Sequence, residues 1–92
     1  MKNNMKDSKK REITAKQACD IAINYFWDLL GVRIDLKVEE TEMDTDGKNW
    51  FITLSYADHD KKVSLIYTTK HYKRFKINAV TGHVISMKIR RI

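Results

Sequence analysis

The spacing of the apolar residues changes once along this 92-residue chain, at Gly31. From Ala15 to Leu30 apolar side chains recur at helical spacing, whereas beyond Gly31 they alternate with polar ones. A helix turns about 100° per residue, and a strand sends successive side chains to opposite faces. The sequence therefore predicts an α+β fold, in which one N-terminal helix packs across a curved antiparallel β-sheet of four to five strands.

Both ends of the helix carry recognisable signals. Thr14 can cap the first turn, and Gln17 can reach back to it in a T-x-x-Q capping box, so the helix should begin at Ala15. Gly31 should end the helix in the left-handed conformation. The apolar face of the helix comprises Ala15, Ala18, Cys19, Ala22, Tyr25, Phe26, Leu29 and Leu30. We expect this face of the helix to pack across the Trp50 or Phe51 side of the sheet through Ala18, Ala22, Phe26 and Leu29.

Alternation of apolar and polar residues predicts the strands. The alternation from Val32 onwards indicates a linker that enters a strand ending near Met43, and Asp46-Gly47 is a tight hairpin signal. Later strands are predicted over Trp50 to Ala57, Val63 to Thr68, Tyr72 to Asn78, and Val84 to about Arg90, with a break near Lys70 and His71.

The last hairpin places its residues on two faces. Its buried side should hold Phe75, Ile77, Ile85, Met87 and Ile89. Because odd positions must then pair with odd ones, the loop needs an odd number of residues, such as 79–81, with Gly82 in the left-handed position of a bulge. The opposite face then carries a basic strip of Tyr72, Arg74, Lys76, Lys88 and Arg90.

Composition indicates one folded domain with an uneven charge. The sequence predicts a disordered basic tail over residues 1–12 and a single α+β domain over residues 13–92. A chain of this length can form only one hydrophobic core. Residues 1–60 carry a net charge of −3 and residues 61–92 a net charge of +9. Such asymmetry favours acidic proteins, nucleic acid or anionic surfaces as partners. The lone Cys19 cannot form an intrachain disulfide, and no apolar run approaches the roughly 18 residues of a membrane span, so we expect a cytoplasmic domain.

No motif of catalysis or metal binding is convincing. His59, His71 and His83 are too far apart for a zinc site, and Cys19 has no basic neighbour in the sequence. Residues 42–47 imitate the start of a calcium loop, but Thr53 stands where the bidentate glutamate is required. We therefore predict no enzyme activity, no metal and no cofactor.

The basic strip is the most informative candidate site. A solvated face of a half-buried sheet explains it equally well, although four like charges crowded across strands should repel one another. We therefore expect these side chains to be exposed and to contribute nothing to folding. Trp27, near the polar arc of the helix, either caps the edge of the core or joins the partner contact. The leading hypothesis is binding of an acidic protein by occlusion, and the alternative is a nucleic-acid-binding module that uses the same hairpin. A homodimer is a further option.

The order of elements resembles a known family. The helix that opens with residues 13–18, the strand with Trp50, and the closing hairpin of residues 75–84 look like the PepSY domain, whose pattern ends in an I-D-x-x-T-G-x-V hairpin. Asn78 stands where that pattern has Asp. The same arrangement is similar to small bacterial immunity proteins with a nuclear-transport-factor-like, cystatin-like fold. Either resemblance implies a helix across a curved antiparallel sheet, no cofactor, and a role in binding or restraining another protein.

Overall fold

A computed structural model of the chain describes residues 12–59 and 68–91. In this part of the chain one helix, α1 (Ala15–Leu30), precedes a four-stranded antiparallel sheet. The strands are β1 (Lys37–Met43), β2 (Asn49–His59), β3 (Thr68–Asn78) and β4 (Val84–Ile89), and their order in the sheet follows their order in the chain. The predicted α+β class is confirmed. The basic tail, apart from Glu12, and most of the strand predicted over Val63 to Thr68 lie outside the described residues.

The helix begins and ends where its capping residues predict. Thr14 Oγ1 accepts a hydrogen bond from the Gln17 amide at 3.1 Å, and Gln17 Oε1 accepts one from the Thr14 amide at 2.8 Å. Gly31 has a φ of 79°, and its amide donates to the Trp27 carbonyl at 2.8 Å. Both caps satisfy backbone groups that would otherwise lack a partner inside the helix.

The helix covers one side of the sheet, called here the inner face. Its buried residues Ala18, Ala22 and Phe26 pack with four side chains of β2 and β3 that have no exposed surface: Ile52, Leu54, Phe75 and Ile77. The Phe26 ring lies 5.9 Å from that of Phe75, edge to face. Of the two sides that the sequence left open, the helix covers the Trp50 side and not the Phe51 side. The expectation for Leu29 is wrong, since it is 58% exposed, and Ile34 and Leu36 of the linker pack against the core instead.

The turn between β3 and β4 ties the start of the domain to the sheet. The Ile13 amide donates to the Ala79 carbonyl at 2.7 Å, and Trp50 Nε1 donates to the Ile13 carbonyl at 3.1 Å. Gly82 has a φ of 78°, as the hairpin argument requires, and a Cβ added there would lie 3.1 Å from Ile21 Cδ1. The turn therefore packs directly against the helix.

Each edge strand contains a bulge. In β1, Val38 pairs with Leu54 and Glu40 with Thr53, so Glu39 is the extra residue. In β4 the extra residue is Ile85, because Lys76 pairs with Ser86 whereas Ile77 pairs with Val84. The second bulge corrects the predicted buried set of the last hairpin.

Val84 packs against the core in place of Ile85, which is 52% exposed. Ile89 is 66% exposed, since it pairs with Lys73 in the last pair of an edge strand, which has a neighbour on one side only.

The predicted strand break near Lys70 and His71 is also wrong. Lys70 pairs with Ala57 and His71 pairs with Tyr56, so β3 runs without interruption from Thr68 to Asn78. The His71 ring stacks on that of Tyr56 with centroids 5.0 Å apart. Continuous pairing makes β2 and β3 the longest strands of the sheet.

Candidate functional site on the outer face of the sheet

The side of the sheet opposite the helix, called here the outer face, carries a grid of charged and polar side chains. Strand pairing aligns its members in three rows that run from β1 to β4. The rows are Glu42, Phe51, Lys76 and Ser86; then Glu40, Thr53, Arg74 and Lys88; then Lys37, Ser55, Tyr72 and Arg90, with Glu39 beside Ser55. The five residues of the predicted basic strip therefore share one face, on β3 and at β4.

The β1 side of this face is acidic, which the sequence reasoning missed. The bulge at Glu39 turns both Glu39 and Glu40 toward the outer face. Ser55 Oγ donates to Glu39 Oε2, and Thr53 Oγ1 donates to Glu40 Oε1, each at 2.7 Å. The two hydroxyl-bearing residues are 2% and 1% exposed, so the carboxylates satisfy donors that are almost fully buried.

These contacts hold both carboxylates in the charged form. The hydrogen bond from Ser55 lowers the pKa of Glu39, and the charges of Lys37 and Lys70 lower it further. The hydrogen bond from Arg90, together with that from Thr53, lowers the pKa of Glu40. The same bond to Glu40 raises the pKa of Arg90. The β1 side therefore carries two carboxylates held in the charged form, with Lys37 beside Glu39.

Both arginines of the strip reach across β2 toward these acids. Arg90 makes a two-point contact with Glu40, with Nε to Oε1 at 3.1 Å and Nη2 to Oε2 at 3.3 Å. Arg74 lies over the Phe51 ring, 4.3 Å from its centroid, with Nη2 3.6 Å from Glu42 Oε1. The expectation that these charges only repel one another is thus wrong for the arginines. The sheet supplies each with an acidic partner.

The two lysines of the strip differ from the arginines. Within the described ranges, 12–59 and 68–91, neither Lys76 nor Lys88 forms an ion pair with a carboxylate. Together with Phe51, Arg74 and Ser86 they line a shallow cleft of about 270 Å³, called here the Phe51 cleft. The Phe51 ring holds Arg74 by a cation–π contact, and the three cations and the hydroxyl around the cleft are suited to a small anionic group.

A second opening lies at the far end of β3 and β4. Its volume is about 370 Å³, and its lining includes Lys70, Tyr72, Arg90 and Arg91. Lys70 Nζ lies 5.8 Å from the centroid of the Tyr72 ring and 3.4 Å from Glu39 Oε2. Two of its four cations, Lys70 and Arg90, are paired with glutamates. Lys73 and Arg91 remain, so among the described residues this opening has as many cations without a carboxylate partner as the Phe51 cleft.

Trp27 does not join this surface. It belongs to the helix that covers the inner face, and its Nε1 donates to the Ile34 carbonyl at 2.8 Å. The Arg33 guanidinium lies 5.2 Å from the ring centroid. Trp27 therefore anchors the linker between α1 and β1.

The acidic hairpin between β1 and β2 is held together by Asp44. Its carboxylate accepts hydrogen bonds from the Lys48 amide at 2.9 Å and from the Asn49 side chain at 2.9 Å. The bond from Asn49 is the main reason that the pKa of Asp44 is lowered to about 2. In the part of the chain that the structure describes, no group of three or more His, Cys, Asp or Glu residues is arranged to hold a metal ion.

Comparison of the chain with models of known protein families, with curated proteins and with solved structures gave no match. The resemblance to PepSY domains and immunity proteins thus stays a prediction. Among the described residues, no helix has both the length and the apolar character needed to cross a membrane.

Proposed function

We propose that this domain is a non-catalytic binding module that occludes an acidic surface of a partner protein with the β3 and β4 side of its outer face. The observation that carries the proposal is the pair Lys76 and Lys88, which flank Arg74 over Phe51 without carboxylate partners of their own in the described residues. Arg74 is paired with Glu42, but the two lysines are diagonal neighbours on β3 and β4, and their like charges repel each other unless something else compensates. An acidic partner supplies that compensation.

The arrangement also suits binding because Arg74 is already ordered. Its guanidinium rests on the Phe51 ring, and its side chain is about one-third exposed, at 33%. An arginine held flat loses little conformational entropy when it binds a carboxylate, and its planar fork directs the hydrogen bonds. The lysines contribute mainly charge.

The outer face has glutamates on its β1 side and cations on its β3 and β4 side, and this uneven charge favours a protein partner over a nucleic acid. Glu39, Glu40 and Glu42 lie two strands away from the β3 side chains, or about 10 Å at the usual spacing of strands. Duplex DNA carries one charge per about 1.7 Å of its axis, so an extended phosphate backbone that covered the outer face would also meet these carboxylates. A protein can present acids opposite β3 and β4 and neutral or basic groups opposite β1.

The proposal agrees with the restraining role that the resemblance to PepSY and immunity proteins implies. Both kinds of domain would act by covering a surface of another protein. Such a role requires a rigid face and no reactive group, which is consistent with a sheet whose middle rows are cross-linked by hydrogen bonds to Glu39 and Glu40.

The test is affinity capture from a lysate of the native host with matched charge variants. The test variant changes Lys76 and Lys88 together to Glu. The control variant changes Lys16 and Lys48, which lie on other surfaces, to Glu as well, so that both variants have the same net charge. We expect an acidic protein that binds the unmodified chain and the control but not the test variant, and that does so again when purified. Equal retention of every captured protein by both variants would place the interface elsewhere.

The alternative is tested by titrating labelled duplex DNA and RNA at two salt concentrations. Four phosphate contacts would give a slope of about −3 to −4 in log affinity against log salt on duplex DNA. Tight binding with that slope, lost in the Lys76 and Lys88 variant, would replace the protein partner with a nucleic acid.

A further inference from the structure

We propose that Glu42 acts as an internal substitute for a partner carboxylate, holding Arg74 in the Phe51 cleft until an acidic side chain of the partner displaces it. This inference rests on the proposed function and specifies how the same site is regulated. It starts from the contrast between the two arginine–glutamate pairs of the outer face.

The Arg74–Glu42 pair is the looser of the two. One contact of 3.6 Å joins it, and the Glu42 side chain is 67% exposed. The Arg90–Glu40 pair has two contacts, at 3.1 and 3.3 Å, and Glu40 also accepts the hydroxyl of Thr53. An exposed single-point ion pair stabilises a protein only weakly, so Glu42 can be replaced at little cost.

A carboxylate that comes from outside gains contacts that Glu42 does not make. Glu42 lies on β1, at the far end of its row from Ser86, and in the described residues it forms an ion pair with Arg74 alone. A partner carboxylate that enters over β3 and β4 meets Arg74, Lys76 and Lys88 together, with the Ser86 hydroxyl on the same wall. The partner carboxylate therefore meets three cations, whereas Glu42 pairs with one.

The internal carboxylate also affects selectivity. Before a ligand arrives, Glu42 neutralises part of the charge of Arg74, so a weakly acidic surface gains little by displacing it. A ligand with closely spaced carboxylates gains the two lysines as well. Glu42 thus lowers the affinity for every anion and raises the charge density that a partner must present.

The experiment uses the full chain and a synthetic octaglutamate peptide as the probe, at about 50 mM salt, where electrostatic contacts are weakly screened. Calorimetry gives the affinity, and the Nε–Hε signal of Arg74 in a ¹⁵N-labelled sample reports the cleft. The variants are Glu42→Gln and, as the control with an equal change in net charge on the helix side of the domain, Asp28→Asn.

We expect Glu42→Gln to bind octaglutamate about two- to fivefold more tightly than the unmodified chain, the range that an exposed ion pair supports. Asp28→Asn should leave the affinity unchanged, and the Arg74 signal should shift during the titration of the unmodified chain. If Glu42→Gln leaves the affinity for octaglutamate unchanged or weakens it, the inference is wrong. It is also wrong if the Arg74 signal keeps its chemical shift during the titration while the signals of Tyr72 and Arg91 shift.

The two proposals fail in different ways. If octaglutamate binds and the binding is lost on changing Lys76 and Lys88 to Gln, but Glu42→Gln has no effect, the binding face stands and the role of Glu42 is wrong. If octaglutamate does not bind at about 50 mM salt, both are wrong. If inorganic phosphate or a thymidine octanucleotide shifts Arg74 at equal ionic strength and octaglutamate does not, the cleft is a phosphate site and the carboxylate assignment is overturned.

Discussion

Replacing Ala22 with leucine tests whether the helix packs on the inner face of the sheet. The outer face is accessible to a partner only if the helix lies on the inner face. Ala22 has no exposed surface and lies in a cluster with Ile52, Phe75 and Ile77, which are also fully buried. A leucine there must push the helix away from the sheet or force its neighbours out of their rotamers. Overpacking of this kind typically costs about 1 to 3 kcal/mol.

In a domain of this size each kcal/mol lowers the melting temperature by about 4 to 8 °C. Thermal and urea unfolding, followed by circular dichroism, should therefore show a clear loss. The matched control is Asn24→Leu, which puts the same residue on the exposed side of the same helix, where the Asn24 side chain donates to the Asp20 carbonyl. A surface change of this type stays within about 0.5 kcal/mol. Equal stability of the two leucine variants would refute the packing of this helix face against the sheet.

Three further changes probe other features. Asp44→Asn should make stability depend less on pH in the acid range. The pKa of Asp44, lowered from 3.8 to about 2, gives a contribution to folding stability that is present above about pH 4 and lost as the pH falls toward 2. Melting curves of both proteins from pH 5 to pH 2 measure the difference. Gly82→Ala should destabilise the fold more than Gly31→Ala, since both have positive φ but only the Gly82 site would crowd a neighbour; urea midpoints decide. Arg90→Gln should lower the melting temperature more than Lys88→Gln, and the difference should shrink in 1 M salt if it comes from the pair with Glu40.

The elements of this fold were predictable from the sequence because their signals are local. Thr14 and Gln17 are three residues apart and cap the same turn, so no distant part of the chain is needed to place the start of the helix. The alternation through β2 likewise assigns Ile52 and Leu54 to the core without knowledge of their partners. The register argument for one hairpin placed Arg74 and Lys88 on the same face, whereas their direct pairing depends on the bulge at Ile85.

The composition of the outer face was not predictable, because it depends on bulges and on side chains that reach across the sheet. Strict alternation puts Glu39 and Glu40 on opposite faces, and no turn residue marks the bulge that brings them together. The contact between Arg90 and Glu40 joins residues 50 positions apart, on opposite edges of the sheet. Sequence reasoning therefore found the cations and missed the acids that bind them.

The bulges have a second consequence, for self-association. An open sheet ends in two strands with unpaired backbone groups, which can template the addition of a strand from another molecule and so begin aggregation. Proline is one residue that proteins use to block such addition, and this chain has none. The extra residues Glu39 and Ile85 interrupt the regular ladder on β1 and β4, which shortens the stretch along which a foreign strand could pair in register. Irregular backbone thus disfavours strand addition at both margins of the sheet.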